Sequence, residues 1–289
     1  MRFLNDHLRE TFGEKVYKLS LSSGCTCPNR DGTVGYGGCS FCSEGGSGEF
    51  AAKLAPIGEQ IAEAKERVRG KTDARKFIAY FQSYTNTYGD VARLETLYRE
   101  ALAHEEIVAL SLGTRPDCLG GDVMEMLTRL AAIKPVWVEL GLQTIREETA
   151  QRIGRGYPLA VFDDAYRRLK EAGIPVIVHV ILNLPGETKE DMLGTVRYLA
   201  ELVPPPDGIK LQMLQILEGT RMAEEYRAEP WPLMDLEEYA ALIAEAVALL
   251  PEETVIHRLT GDGPRRLLIA PLWCLDKKHV LNTIRRGLR

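Results

Sequence analysis

Six short apolar runs recur along the chain, at residues 16–21, 77–81, 107–112, 136–140, 174–182 and 209–217. Several are apolar at nearly every position, the pattern of parallel strands covered on both faces. Between them lie stretches of helical period. Leu94, Leu97, Tyr98, Ala101 and Leu102 mark one face; Val161, Phe162, Ala165, Tyr166 and Leu169 mark another. Met192, Leu193, Val196 and Leu199 form a third, with Thr188 placed as an N-cap and Asp191 in the first turn. A late face runs through Leu236, Tyr239, Ala240, Ile243 and Val247. Strand followed by helix, six times over, leaves few architectures besides a parallel α/β sheet. A complete eight-stranded barrel needs two more units. Residues 254–259 offer a seventh short strand, but a basic tail follows it. The expected fold is α/β, an incomplete TIM-like (β/α)6 barrel with a short basic C-terminal extension. Its chemistry is expected at the C-terminal strand ends.

Composition separates the barrel from its extension. Residues 258–289 hold eight Lys or Arg and two acids, a net +6, whereas the whole 289-residue chain is −5 and residues 1–257 therefore −11. An acidic body excludes a protein coated for polyanions, but a basic segment fits a local polyanion contact. The domain reading is thus 1–257 as barrel and 258–289 as an extension packed on it. No apolar run approaches the roughly 18 residues of a membrane span, and the first residues lack the apolar stretch of a signal peptide. The chain is read as cytoplasmic, with no membrane partner. Its six cysteines are then reduced rather than disulfide-bonded.

Four of those cysteines fall within 18 residues, Cys25, Cys27, Cys39 and Cys42, in a glycine-rich loop spanning 24–49 just past the first expected strand. Glycine lets backbone wrap closely around a bulky group. Cys27, Cys39 and Cys42 follow C-x11-C-x2-C. Four thiolates could close a tetrahedral zinc site, or three could hold an iron–sulfur cubane and leave one iron open. The single residue between Cys25 and Cys27 is too short for paired zinc ligands, and the loop sits at a strand end. Both features favour the cluster.

The stretch CPNRDGTVGYGGCSFC resembles the cluster loop of the radical S-adenosylmethionine superfamily, in the long-gap form of its YhcC/YtqA-like subgroup. YFQSYTNTY, GTRPDCL, VELGLQT, RIGRGY and HVILNLPGET carry the resemblance along most of the chain. The subgroup is related to the radical core of the elongator catalytic subunit, which acts on wobble uridine in tRNA. The resemblance implies a 4Fe-4S cluster on Cys27, Cys39 and Cys42, with Phe41 against the adenine of S-adenosylmethionine (SAM). It also implies one-electron cleavage of SAM to methionine and a 5′-deoxyadenosyl radical, fed by a donor such as flavodoxin or ferredoxin.

The remaining candidates follow the expected strands. Tyr84, Thr85 and Asn86 stand where the superfamily meets the methionyl amino group, although its GGE-like turn is absent. By the same resemblance Gln143 bonds the ribose or carboxylate of SAM, and RIGRGY covers the cluster mouth. Glu139 sits inside an apolar run and needs a partner, either cofactor or Arg152 or Arg155. His179 and Asn183 share a strand face, expected toward the site. Arg115 could grip a carboxylate or phosphate, or pair with Asp117. His179, Cys118 and Arg115 are the candidates for a catalytic role, Asn183 for cofactor contact, and Gln212 and Gln215 for adenine or substrate contact. Cys25 reads as a buried thiol, and Cys274 has no assigned role. The expected function is a radical SAM enzyme modifying tRNA at a wobble uridine. The rivals are a radical SAM enzyme on a small metabolite and a zinc-stabilised binding protein without catalysis.

Overall fold

The computed structural model describes residues 1–289 apart from Ser47, Asp262 and Arg289. Eight strands, all parallel, form one sheet: β1 (Arg2–Phe3), β2 (Val16–Leu21), β3 (Lys76–Phe81), β4 (Ile107–Thr114), β5 (Val136–Gln143), β6 (Val176–Leu182), β7 (Gly208–Met213) and β9 (Val255–Arg258). β8 (Ile216–Leu217) and β10 (Leu268–Ala270) make a separate antiparallel ribbon. The sheet order is β1-β9-β7-β6-β5-β4-β3-β2. Its edge strands β1 and β2 are not paired with each other, so the sheet is an open, curled half-barrel, as an incomplete TIM-like fold requires.

Two expectations need correction. Among the described residues the sheet has two strands beyond the six expected, because the short strand offered at 254–259 forms over 255–258 and pairs with β7, and the two-residue β1 pairs outside it. The run 209–217 is two strands, since after Met213 the chain leaves the sheet and β8 joins β10. Uniform apolarity shows that a segment is buried, not that it changes partner.

Period-2 alternation divides each strand between two environments. One face of the sheet packs under the helices: Leu110, Leu112, Val138, Leu140, Leu142, Val178 and Val180 join the main core with Leu94, Tyr98, Phe162 and Ile243. On the other face, at the N-terminal strand ends, Val16, Ile78, Ala109, Trp137 and Ile177 close around Leu8 of the helix Leu4–Phe12. That helix plugs the bottom of the half-barrel. The chemistry is thereby left to the opposite end.

The helical periods bury the faces they mark. Thr188 caps the helix Lys189–Ala200 in a reciprocal capping box with Asp191. The C-terminal helix Lys277–Gly287 packs on the helix Leu236–Ala248 through Val280 and Ile284. Lys278, Arg285 and Arg286 remain exposed. Arg289, counted in the basic segment, lies outside the described residues. No helix among the described residues is long and apolar enough to cross a membrane.

Candidate active site at the C-terminal strand ends

Above the apolar plug, the inward face turns polar. Lys18 (β2), Tyr80 (β3), Ser111 (β4), Glu139 (β5), His179 (β6) and Lys210 (β7) form one layer. Its centre is Glu139, whose side chain is fully buried. One carboxylate oxygen accepts from Lys18 and from the Ser111 hydroxyl (2.8 Å). The other accepts from Tyr80 (2.9 Å), His179 (2.7 Å) and Lys210. The expected partners Arg152 and Arg155 are elsewhere. Arg155, itself buried, donates to the carbonyls of Leu142, Thr144 and Tyr157, and Arg152 lies over the Trp231 ring. Both follow β5, so their chain direction carries them past the strand end, away from the layer.

Burial opposes ionisation of Glu139, but the Lys18 and Lys210 ammoniums and the His179 hydrogen bond overrule it and hold the carboxyl well below its usual range. Burial, then the Lys210 ammonium, lowers the His179 imidazole to about 4. The layer therefore holds an ionised carboxylate and a neutral imidazole that donates to it.

Two cavities open above this layer, sharing Gln82, Gln143 and His179. The first, of about 130 Å³, is lined by Cys27, Cys39 and Cys42 together with Tyr84, Thr85, Arg115, Glu139 and Tyr157. The second, of about 170 Å³, lies toward β6, β7 and β9 and is walled by Phe41, Gln212, Gln215 and Arg258.

The cysteine loop is anchored by its neighbours rather than by its own secondary structure. The Cys27 carbonyl accepts from the Arg30 amide (2.8 Å) and the Cys39 carbonyl from the Cys42 amide (2.9 Å). Arg30 also donates to the Cys42 and Ser43 carbonyls. Asn29 reaches the Cys39 sulfur (3.5 Å) and the Gly154 carbonyl, while the Ser40 amide donates to the Ile153 carbonyl (2.8 Å). RIGRGY thus lies against the loop. Gly46, at φ 57°, passes so close to Tyr84 that a Cβ there would stand 2.4 Å from the ring. Burial, with the Cys42 thiol beside it, pushes the Cys39 thiol up to about 12. A bound cation would favour the thiolate at this position.

Among the described residues, three non-glycine residues have positive φ: Tyr84 (60°), Gln143 (65°) and Asn183 (67°). Each follows or ends a strand, β3, β5 or β6, and each is a sequence candidate. Such conformations persist where surroundings over-determine them, often at functional sites. Gln143 lines both cavities and its side-chain oxygen accepts from Tyr157 (3.1 Å). Asn183 is turned differently: its carbonyl oxygen accepts from the Met234 amide (2.8 Å), and it lines neither cavity. The left-handed backbone past Leu182 breaks the alternation that would have aligned it with His179.

Asn86 is also spent on structure, accepting from Ser23 (2.6 Å) and donating to the Phe81 and Gly113 carbonyls (3.0 and 2.8 Å). Arg115 forks onto Asp117 (2.9 and 2.7 Å) and donates to the Arg155 carbonyl (2.9 Å), yet still borders the cysteine cavity. Cys118 and Cys25 lie away from both cavities, on a separate shallow depression. Sequence reasoning missed Lys18, Tyr80, Lys210 and Arg258. The signal was present: a charged residue interrupts VYKLSL and GIKLQM just as Glu139 and His179 interrupt their strands.

Comparison with known proteins agrees with this architecture. The Radical SAM superfamily profile matches residues 24–199, and the Radical_SAM C-terminal domain profile matches residues 206–289. YtqA of Bacillus subtilis is 41% identical over 286 residues, spanning 99% of this chain and 88% of that protein. YhcC of Escherichia coli K12 is 38% identical, spanning 93% and 86%. Elongator complex protein 3 of Danio rerio is 27% identical over 57% of this chain and 30% of its own length. Among solved structures, the archaeal Elp3 of Methanocaldococcus infernus shares the fold at a TM-score of 0.71 and 18% identity, covering 95% of this chain and 64% of that one. Methylornithine synthase does so at 0.58 and 17%, covering 87% and 67%. The parallel half-barrel, the loop with its three cysteines and the match over more than half the chain lead to one assignment: this chain is an enzyme of the radical SAM superfamily.

Proposed function

We propose that Cys27, Cys39 and Cys42 hold a 4Fe-4S cluster and that SAM binds between this loop and Gln143. One observation carries the reading. Three thiols, and no fourth among the described residues, line a single cavity at the C-terminal ends of a parallel half-barrel. A zinc ion draws its thiolates to about 2.3 Å. Among the described residues, no three Cys, His, Asp or Glu side chains gather closely enough for a single ion.

Held by Cys27, Cys39 and Cys42, the cluster with SAM would supply one-electron radical chemistry for hydrogen abstraction from substrate. The chain's own groups orient and enclose. Tyr157 fixes the Gln143 amide, whose nitrogen is left to donate to a ribose or carboxylate oxygen. Tyr84 and Thr85 border the methionyl side, and Phe41 offers a ring to the adenine. The Glu139 layer seals the floor. The substrate in this reading is tRNA at a wobble uridine, supported by the likeness to elongator proteins and by exposed Arg265, Arg266, Lys278, Arg285 and Arg286. The electron comes from a cytoplasmic donor of the flavodoxin or ferredoxin kind.

The test is anaerobic reconstitution. The parent should bind about four irons and release 5′-deoxyadenosine from SAM. Cys39→Ala should lose both properties, and Cys25→Ala should keep most of each. A cluster retained in Cys39→Ala sinks the ligand assignment.

A further inference from the structure

Arg258 ends β9, paired in register with Lys210, which is paired in turn with His179. These three neighbours bring the polar layer to the floor and wall of the cavity over β6, β7 and β9. Three basic side chains, Lys18, Lys210 and Arg258, lie near one buried carboxylate, Glu139, and burial lowers the pKa of both lysines. That carboxylate has no capacity left. A carboxylate offers about four lone-pair sites, and Glu139 already accepts from Lys18, Ser111, Tyr80, His179 and Lys210. Nothing remains for Arg258. Among the described residues, its one hydrogen bond is to the Gln212 side-chain oxygen at 3.5 Å, at the limit of such a bond. The other carboxylate on this cavity, Glu49, takes the Ser43 hydroxyl on one oxygen and stands on the cysteine loop, with no ion pair to Arg258 among the described residues.

A guanidinium is charged at any working pH and carries five donors in a planar fork. A half-buried charge without a partner is costly. The natural complement is a second anion, brought by a ligand. Arg258 does not line the cysteine cavity, so that ligand lies on the side away from the thiols.

We propose that Arg258 binds an anionic group of the substrate, a carboxylate or phosphate, in the cavity on the side away from the thiols. The proposal rests on the radical SAM reading and adds to it a substrate class. A phosphate of RNA and a free small anion share this chemistry, and the experiment separates them.

Inorganic phosphate and malonate serve as probes, titrated into the parent and into Arg258→Gln, Arg258→Lys and the surface variant Arg265→Gln. The parent and Arg265→Gln should bind at least one probe with the same affinity. Arg258→Gln should bind it at least tenfold more weakly, and Arg258→Lys should fall between, having charge without the fork. Equal binding by parent and Arg258→Gln, or no anion binding by the parent, overturns the proposal. If Arg258→Gln does not melt cooperatively, Arg258→Lys decides: severalfold weaker binding supports the site, and unchanged binding overturns it. A parallel tRNA titration across salt identifies the source. A slope smaller by about 0.7–0.9 in Arg258→Gln, which removes the charge, assigns the anion to an RNA phosphate. An unchanged slope with weakened probe binding assigns it to a small metabolite. SAM cleavage by the parent, measured without substrate, tests the underlying reading separately.

Discussion

At Glu139 a single carboxylate takes donors from five strands, and the partners are far apart in sequence: Lys18 is 121 residues away and Lys210 is 71. The layer is held by one buried carboxylate between two lysines. Removing one member of a buried ionic group leaves its partners uncompensated, typically at about 3–5 kcal/mol. Glu139→Gln keeps the shape and removes the charge. It should lower the unfolding free energy by about that amount in urea titration of the chain without cofactor. A loss below about 1 kcal/mol would show that the charges are compensated in some other way.

On the scale of elements, the helix Leu4–Phe12 does what no strand can. The half-barrel is open, and its bottom would expose Val16, Ile78, Ala109, Trp137 and Ile177 unless an apolar face covered them. Leu8, 2% exposed, is that face's centre. Leu8→Ala should cost about 2–5 kcal/mol, the range for deleting a buried leucine. The hydrogen bonds around Cys39 lie at the opposite end of the strands, so iron bound per folded chain should be unchanged. Denaturant melts and iron content on the same preparation check both halves. Loss of iron per folded molecule would show that plug and cysteine loop are coupled. Elements also decide rigidity at the site. The cysteine loop has little regular structure and borrows order from the Ile153–Gly154 backbone and from Arg30.

For the whole molecule, the distribution of charge matters more than the total. The basic segment 258–289 is not one surface. Arg258 turns inward, Arg265 and Arg266 sit in the loop beyond β9, and the C-terminal helix displays Lys278, Arg285 and Arg286 on its exposed side. Arg286 stands 3.9 Å from Glu237, a loose surface pair. An RNA crossing this face would release counterions for each phosphate neutralised. Changing Arg265, Arg266, Arg285 and Arg286 together to Ala should lower the salt slope of tRNA binding by roughly 0.7–0.9 for each phosphate no longer neutralised. Substrate-free SAM cleavage should persist, because none of the four lines the cysteine cavity. An unchanged slope, or no tRNA binding by the parent, removes the RNA reading and leaves the small-metabolite one.

Local period and spacing, which a chain carries along one dimension, are enough for the α/β class, the helix faces, the Thr188 cap and the cysteine loop at a strand end. The family resemblance marks Tyr84 and Gln143, and strand alternation marks Asn183, the three described non-glycine residues with positive φ, although Asn183 turns away from the face expected of it. Which inward residues meet is settled in three dimensions. Strand tilt and curl put Lys18, Tyr80, Glu139 and Lys210 in one layer, gave Glu139 two lysines instead of an arginine, and turned Asn86 and Asn183 to backbone partners. The same curl left Arg258 beside a carboxylate with no room for it. Such pairings depend on register between strands separated by whole helices, and an apolar run reads the same whichever neighbour it finds.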